Sequence, residues 1–137
     1  MYDINENFSV DAKFGLIDTE YKEYITDKTA KGNKIENTPD YTLSVGLNYH
    51  HQSGFYSRLD IYSQGNKYLN AANNEKQNAW VSADLIVGYI YNNLDIYSFI
   101  ENIGDEEHIE AAFFGRDGAY INYSNPRKFG VGFKYYF

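Results

Sequence analysis

A strict alternation of apolar and polar residues is the feature that most constrains this chain, and it is clearest near the C-terminus. Between Phe129 and Phe137 every odd position is apolar or aromatic, and the even positions are Gly, Lys and Tyr. Successive side chains of a β-strand point to opposite faces, so a period of two predicts a strand with one apolar and one polar face.

The same alternation recurs in five further segments, and no segment shows a convincing helical period. The 15 Tyr and 9 Phe residues favour the same reading, because aromatic residues are enriched in strands. The predicted strands are 8–17 (with an alternative end at residue 24), 41–50, 55–63, 81–91, 94–102 and 129–137. The apolar face is predicted to carry Leu43, Val45, Leu47, Leu59, Ile61, Leu85, Val87, Val131 and Phe133, and the opposite face Ser44, Asp60, Asp84 and Lys134.

The connections between these strands alternate strictly between short and long. Residues 51–53 and 92–93 are tight turns, whereas 25–40, 64–78 and 103–127 are long and polar. Bacterial outer-membrane barrels have short periplasmic turns and long extracellular loops, with strands of about 10 residues. The predicted fold is therefore all-β: an antiparallel transmembrane β-barrel segment of about six strands, a partial barrel with up-and-down meander topology.

The composition excludes several other classes of protein. A net charge of -7 without a basic cluster disfavours a nucleic-acid partner, and the absence of Cys excludes disulfides and thiolate metal sites. No apolar stretch approaches the ~18 residues of a spanning helix. No Ser-His-Asp arrangement or phosphate-binding Gly-rich loop is present, so we expect neither catalytic residues nor a cofactor.

One cluster has residue types that suit a divalent metal ion. Asp105, Glu106, Glu107 and His108 are consecutive, and Glu110 follows closely. No closed set of ligands is visible, so a solvated loop is favoured and no metal site is predicted. His50 and His51 beside a tight turn are likewise expected to be an exposed pair.

Four segments, in their order and spacing, resemble parts of TonB-dependent outer-membrane receptors. Asn37-Thr38-Pro39-Asp40-Tyr41 is similar to that family's Asn-Thr-Pro-x-Tyr lead into a strand, and Gly54-Phe55-Tyr56-Ser57-Arg58 to its hairpin exit. Residues 101–108 resemble its Lys-Asn-Leu-Phe-Asp-Lys-Glu-Tyr segment, although Gly104, Glu106 and His108 depart from it. Residues 126–131 resemble its Pro-Arg-x-Phe-Gly final strand.

The resemblance implies that residues 1–137 are the C-terminal segment of a 22-stranded receptor barrel, with the plug domain and the TonB box absent because they would lie upstream of Met1. It implies a bacterial outer-membrane location and a part in TonB-dependent uptake of a scarce nutrient, an iron chelate such as a siderophore or haem. The implied partners are outer-membrane lipid, the remaining barrel and plug, the barrel-assembly machinery, that chelate, and TonB through the absent N-terminal part. The alternative is a small soluble or lipid-contacting β-barrel that binds a hydrophobic ligand, also without enzymatic activity.

Three groups of residues are candidates for function. Exposed loop aromatics with an arginine are candidate ligand contacts on the extracellular side: Tyr68, Phe113, Phe114, Arg116 and Tyr120. The alternating residues of the last strand resemble the C-terminal signal for barrel assembly: Phe129, Val131, Phe133, Tyr135 and Phe137. Polar residues predicted to face the lumen are expected to bond to neighbours across the wall rather than to a ligand: Arg58, Asp60, Tyr62, Asp84 and Glu101.

Overall fold

The computed structural model describes residues 1–26, 28–115 and 117–137, and these residues form strands and a single 3-10 turn at Lys28–Ala30. The strands are β1 (Tyr2–Asp3), β2 (Phe8–Leu16), β3 (Tyr41–His50), β4 (Phe55–Gln64), β5 (Lys67–Tyr68), β6 (Lys76–Gln77), β7 (Trp80–Tyr91), β8 (Leu94–Glu101), β9 (Ile109–Gly115), β10 (Gly118–Tyr123) and β11 (Lys128–Tyr135). No helix in these parts of the chain has the length and apolar character needed to cross a membrane.

Seven of the described strands form one antiparallel sheet in the order β1-β2-β3-β4-β7-β8-β11. The six long strands β2, β3, β4, β7, β8 and β11 are called the wall below. Each wall strand pairs with its sequence neighbour in the wall, and β1 pairs with the first residues of β2. The predicted all-β, antiparallel meander of a partial barrel is confirmed.

The short turns all lie at one end of the wall. Residues 4–7, 51–54 and 92–93 connect β1 to β2, β3 to β4 and β7 to β8. Asn92 has a φ of 51°, a left-handed conformation that a two-residue hairpin turn requires and that Asn tolerates well. Gly54 has a φ of 96°, and its carbonyl accepts the N–H of Ile90 from the neighbouring hairpin at 2.9 Å.

The long connections differ from the prediction. β2 ends at Leu16, so the alternative end at residue 24 is wrong. The third long connection contains the β9–β10 hairpin, and the second contains the two-residue pair β5–β6. The β5–β6 pair is too short for a period of two to be recognised in the sequence.

The register places the predicted apolar and polar residues on opposite faces of the wall. Leu47, Leu59 and Leu85 are cross-strand neighbours on the apolar face, and Gly46, Asp60 and Asp84 are neighbours on the polar face. The apolar face is uncovered: Val131 is 84% and Phe133 77% exposed. The alternative of a small ligand-binding barrel requires this face to pack into a closed interior, so the arrangement does not fit it.

Glycines on the polar face lie beneath aromatic rings from the adjacent strand. Tyr56 covers Gly88, Tyr97 covers Gly132 and Phe99 covers Gly130. A Cβ on any of the three glycines would overlap the ring above it, so the ring lies flat only because the side chain beneath it is hydrogen.

Arg58 bridges three wall strands on the polar face. Its Nε donates to Asp60 Oδ2 at 2.7 Å, and its Nη1 to Asn48 Oδ1 at 2.7 Å and to Asp11 Oδ1 at 3.3 Å. Asp84 Oδ1 accepts the N–H of Asn102 at 2.8 Å. Hydrogen bonding across the wall is therefore confirmed for Arg58 and Asp84, whereas Asp60 bonds to Arg58 within β4. Tyr62 and Glu101 make no side-chain hydrogen bond within the described residues.

Candidate functional site

The three long connections meet at the end of the wall opposite the short turns. We call them loop 1 (17–40), loop 2 (65–79) and loop 3 (102–127), and together the loop layer; positions 27 and 116 are outside the description. Loop 3 carries the β9–β10 hairpin. All buried apolar side chains found in the described residues belong to this layer: Ala30, Leu69 and Ala112.

Loops 1 and 2 are joined by amide side chains that bond to backbone groups. The amide of Asn73 accepts the N–H of Lys34 at 2.8 Å and donates to the Lys34 carbonyl at 2.9 Å. Asn33 Nδ2 donates to the Ala71 carbonyl at 2.8 Å, and the N–H of Asn37 donates to the Tyr68 carbonyl at 2.7 Å. The two loops are therefore held in a fixed relative position.

Loop 1 also contains two hydrogen-bonded pairs of its own. The Tyr21 hydroxyl donates to Glu36, and Lys34 forms an ion pair with Asp40. Partial burial together with the bond to Glu36 raises the pKa of Tyr21 to about 12, and the bond to Asp40 raises the pKa of Lys34. Tyr21 therefore remains a neutral donor, and Lys34 a cation, over the physiological range of pH.

The base of the β9–β10 hairpin is attached to loop 2 and β7 at three successive residues. The ring of His108 stacks on Trp80 with 3.6 Å between ring centroids and 10° between planes. The N–H of Ile109 donates to Gln77 Oε1 at 2.9 Å, and Lys67 Nζ donates to the Glu110 carbonyl at 2.7 Å. Burial lowers the pKa values of both Lys67 and His108.

Asn102 fixes the start of loop 3. Its backbone has a φ of 52°, and its side chain donates to the carbonyls of Glu106 and Asn125, each at 3.0 Å. The same amide accepts the N–H of Glu106 at 2.9 Å. Asn102 thereby connects the two ends of loop 3 to each other, and its N–H connects them to Asp84 in the wall.

The structure brings some of the candidate ligand contacts together. Phe113 on β9 lies directly opposite Tyr120 on β10, and their exposed fractions are 71% and 75%. Phe113 and Phe114 also line a cleft of about 260 Å³ between the hairpin and loops 1 and 2. Tyr68 lies in β5 at the junction of loops 1 and 2, and Arg116 is outside the described residues.

The cluster of acidic residues around His108 does not form a metal centre in the described residues. They contain no group of three His, Cys, Asp or Glu side chains placed to hold an ion. His108 instead stacks on Trp80, and Glu110 Oε2 accepts the Asn122 amide at 2.9 Å. At the opposite end of the molecule, His51 Nδ1 lies 2.8 Å from Ser53 Oγ within its turn.

Several residues of the loop layer were not recognised in the sequence. Lys67, Gln77 and Asn73 link separate loops, and Tyr24, Glu36 and Asn37 line the cleft. The abundance of Asn in loops 1 and 2 was the available signal, because Asn side chains satisfy backbone groups where regular pairing ends.

A wall with one uncovered apolar face, short turns at one end and a layered set of long loops at the other defines a partial receptor-type β-barrel. Residues 2–103 match the family described as TonB dependent receptor-like, beta-barrel. The chain belongs to this family.

Solved structures share the fold at low sequence identity. The ferric yersiniabactin uptake receptor FyuA from Yersinia pestis is 18% identical with a TM-score of 0.80, and the similarity covers 95% of this chain and 21% of that one. The siderophore receptor PiuA from Acinetobacter baumannii is 18% identical with a TM-score of 0.79, and the similarity covers 96% of this chain and 20% of that one. BauA, the ferric preacinetobactin receptor of the same organism, is 14% identical with a TM-score of 0.77, and the similarity covers 97% of this chain and 20% of that one. This chain therefore spans about a fifth of these receptors.

Proposed function

We propose that residues 1–137 are the C-terminal segment of the barrel of a bacterial outer-membrane receptor that takes up an iron chelate, a siderophore or haem, with energy supplied through TonB. The plug domain and the TonB box belong to another part of that receptor. The segment contributes six wall strands and three extracellular loops, and has no catalytic role.

The observation that carries this proposal is the arrangement of the wall and the loop layer. The uncovered apolar face is suited to contact with lipid, since aromatic and aliphatic residues on it would otherwise face water. Backbone groups at a free sheet edge cost several kcal/mol in lipid, so β2 and β11 need the remaining strands of the barrel beside them. The family match and the receptors of similar fold support the same reading.

The ligand is proposed to contact the loop layer. Phe113, Phe114 and Tyr120 present aromatic surface beside a cleft that Glu36 and Asn37 also line. Tyr68 and Arg116 remain part of the proposal as neighbouring loop residues. The names of FyuA, PiuA and BauA each refer to a ferric chelate or a siderophore, and this is the reason for proposing an iron chelate.

The experiment is uptake of radioactive iron by the native bacterium. Four probes are supplied under iron limitation: ferric citrate, a ferric hydroxamate, a ferric catecholate and haem. Deleting the receptor gene is expected to abolish uptake of at least one probe, and the loss is expected to be reproduced by deleting TonB. Unchanged uptake of all four would contradict an iron chelate as substrate, and uptake without TonB would contradict the proposed coupling.

The last strand is proposed to act in assembly rather than in ligand binding. Phe129, Val131, Phe133 and Tyr135 are exposed on the edge strand β11, and the exposed Phe137 follows the end of that strand; the barrel-assembly machinery is proposed to bind there. Deleting Phe137 from the full-length receptor is expected to reduce insertion, measured as heat-modifiable mobility on a gel, without changing the ligand affinity of inserted molecules. Normal insertion with lost affinity would overturn this assignment.

A further inference from the structure

The buried lysine of loop 2 is placed where an apolar side chain would cost less free energy. Lys67 is only 5% exposed, and among the described residues it forms no ion pair with a carboxylate. Its ammonium donates to a single acceptor, the backbone carbonyl of Glu110, and the carboxylate of the same residue attracts it only from beyond ion-pair distance. Burying a charge against one carbonyl is unfavourable compared with burying hydrocarbon, so stability of loop 2 does not explain a lysine there.

The bond does fix the position of another element. Glu110 is the second residue of β9, and the Lys67 side chain of loop 2 reaches its backbone carbonyl. An apolar contact allows one element to slide over another, whereas a charged donor on a carbonyl defines both distance and direction. Lys67 therefore fixes the distance and direction of the hairpin base at Glu110, beside the attachments at Ile109 and His108.

The tip of the hairpin follows its base because the two strands are paired along their length. Ala112 lies opposite Ile121, Phe113 opposite Tyr120 and Phe114 opposite Ala119. Phe113 is three residues beyond Glu110, a distance of about 10 Å along a strand. A displacement at Glu110 is thus transmitted to the exposed pair Phe113 and Tyr120.

We infer that Lys67 is a positioning residue that holds the β9–β10 hairpin, and with it Phe113 and Tyr120, over the cleft of the loop layer. Gln77 and Trp80 support the same base through Ile109 and His108, which limits the motion that remains to bending of the hairpin. The effect of Lys67 on ligand binding rests on the proposed function, whereas its effect on the position of the hairpin does not.

Loop 2 offers a matched control for this inference. Lys76 lies on β6 of the same small hairpin as Lys67, but its side chain is exposed. The variants Lys67→Met and Lys76→Met remove the same charge from the same hairpin, and only the first removes the bond to Glu110. Lys67→Arg retains a charged donor and is expected to restore the position.

The experiment measures the distance between spin labels in the full-length receptor in lipid vesicles, without ligand. Labels are attached to cysteines introduced at Ala72 in loop 2 and Ala119 at the hairpin tip, both exposed. We expect a narrow distance distribution in the parent receptor, Lys76→Met and Lys67→Arg, and a distribution about twice as wide in Lys67→Met, since one charge-assisted bond at the base is lost. If Lys67→Met inserts poorly, Lys67→Gln, with a shorter side chain, must give the same broadening.

Uptake of the chelate that the receptor transports is then measured over a range of concentrations. Lys67→Met is expected to raise the half-saturating concentration about tenfold with an unchanged maximal rate, because binding and not transport is affected. A narrow distribution in Lys67→Met, or equal broadening in Lys76→Met, would overturn the inference. Broadening in a receptor that transports no iron chelate would contradict the proposed function and leave the positioning role standing.

Discussion

The wall and the loop layer are stabilised in opposite ways. Wall strands pair through continuous backbone ladders, and they leave large apolar side chains exposed, as at Phe129, Val131 and Phe133. The loop layer has little regular pairing, yet it contains every buried apolar side chain of the described residues. Its loops are joined by side chains that bond to the backbone of a neighbouring loop, as Asn73 and Lys67 do.

Under the proposed function, the difference follows from the solvent that each region meets, which is lipid for the wall and water for the loops. In lipid the backbone must be paired completely and apolar side chains can remain on the surface, so the wall needs no apolar core. In water the loops must bury some apolar area and satisfy irregular backbone groups, and they do both on a small scale. Substitutions in the wall should therefore affect the whole barrel, and those in the loop layer should act locally.

The largest effect is expected for Gly54→Ala in the short turn between β3 and β4. A Cβ there would overlap the carbonyl oxygen of Ile90, a backbone atom that cannot rotate away, and φ is 96°. We expect a loss of about 3 kcal/mol in the free energy of unfolding. Urea unfolding of the full-length receptor in vesicles measures it.

Gly32→Ala in loop 1 is the matched control for that substitution. Its φ is 85°, but no atom lies within 4 Å of the added Cβ. Only the backbone conformation is penalised. We therefore expect loop 1 to be destabilised locally by about 1 kcal/mol, with no change in the free energy of global unfolding. Gly54 lies in a turn that packs against the wall strand β7 at Ile90. Equal losses in the free energy of global unfolding at Gly54 and Gly32 would therefore contradict the contrast between wall and loop layer.

A smaller global effect is expected for Arg58→Met in the wall. The substitution leaves Asp60 and Asp11 without their shared cation, and the partly exposed site limits the loss to about 2 kcal/mol. Arg58→Lys retains the charge but not the two parallel bonds to Asp60. Its free energy of unfolding should therefore lie between those of Arg58→Met and the parent. Equal stability of all three proteins in urea would show that the network does not stabilise the wall.

A local effect is expected for Asn73→Gly in the loop layer. Glycine tolerates the φ of 57°, so the substitution removes only the side-chain bonds to Lys34 and Asn70. We expect about 1 kcal/mol of local destabilisation, seen as faster hydrogen exchange of the Lys34 N–H. Exchange of the wall amides should not change, and faster exchange there would mean that the two regions unfold together.

The smallest effect is expected from pH through His108. Its pKa is lowered by burial, so the stacked position on Trp80 favours the neutral ring. The stabilisation of the hairpin base by the stacked neutral ring is present above the ordinary histidine pKa of about 6.5, and it decreases as the pH falls below that value. The Ala72–Ala119 label distance should broaden slightly between pH 7.5 and 5.5, and less so in His108→Phe. Identical broadening in the variant would show that protonation of His108 does not cause the pH effect.

The sequence predicted the wall better than the loop layer for a physical reason. Strand alternation is local, so Leu47 and Gly46 could be assigned to opposite faces from neighbouring residues alone. Contacts in the loop layer join residues far apart in the chain, such as Trp80 with His108, and no local pattern encodes them. His108 was therefore considered with its sequence neighbours as an ion ligand, although its main contact is an aromatic ring. Phe113 and Tyr120 could be named as exposed loop aromatics, but their pairing depended on an unrecognised hairpin.

The rings that lie over glycines on the polar face have a consequence for how such a barrel can change over generations. At positions 88, 130 and 132 a side chain would overlap the ring at 56, 99 or 97, so the ring must move aside or be replaced by something smaller. If the ring is lost first, the glycine is left uncovered, and the strand that contains it is less stable but still pairs with its neighbours. Mutational routes in which the aromatic residue changes before the glycine are therefore favoured at each of these three pairs.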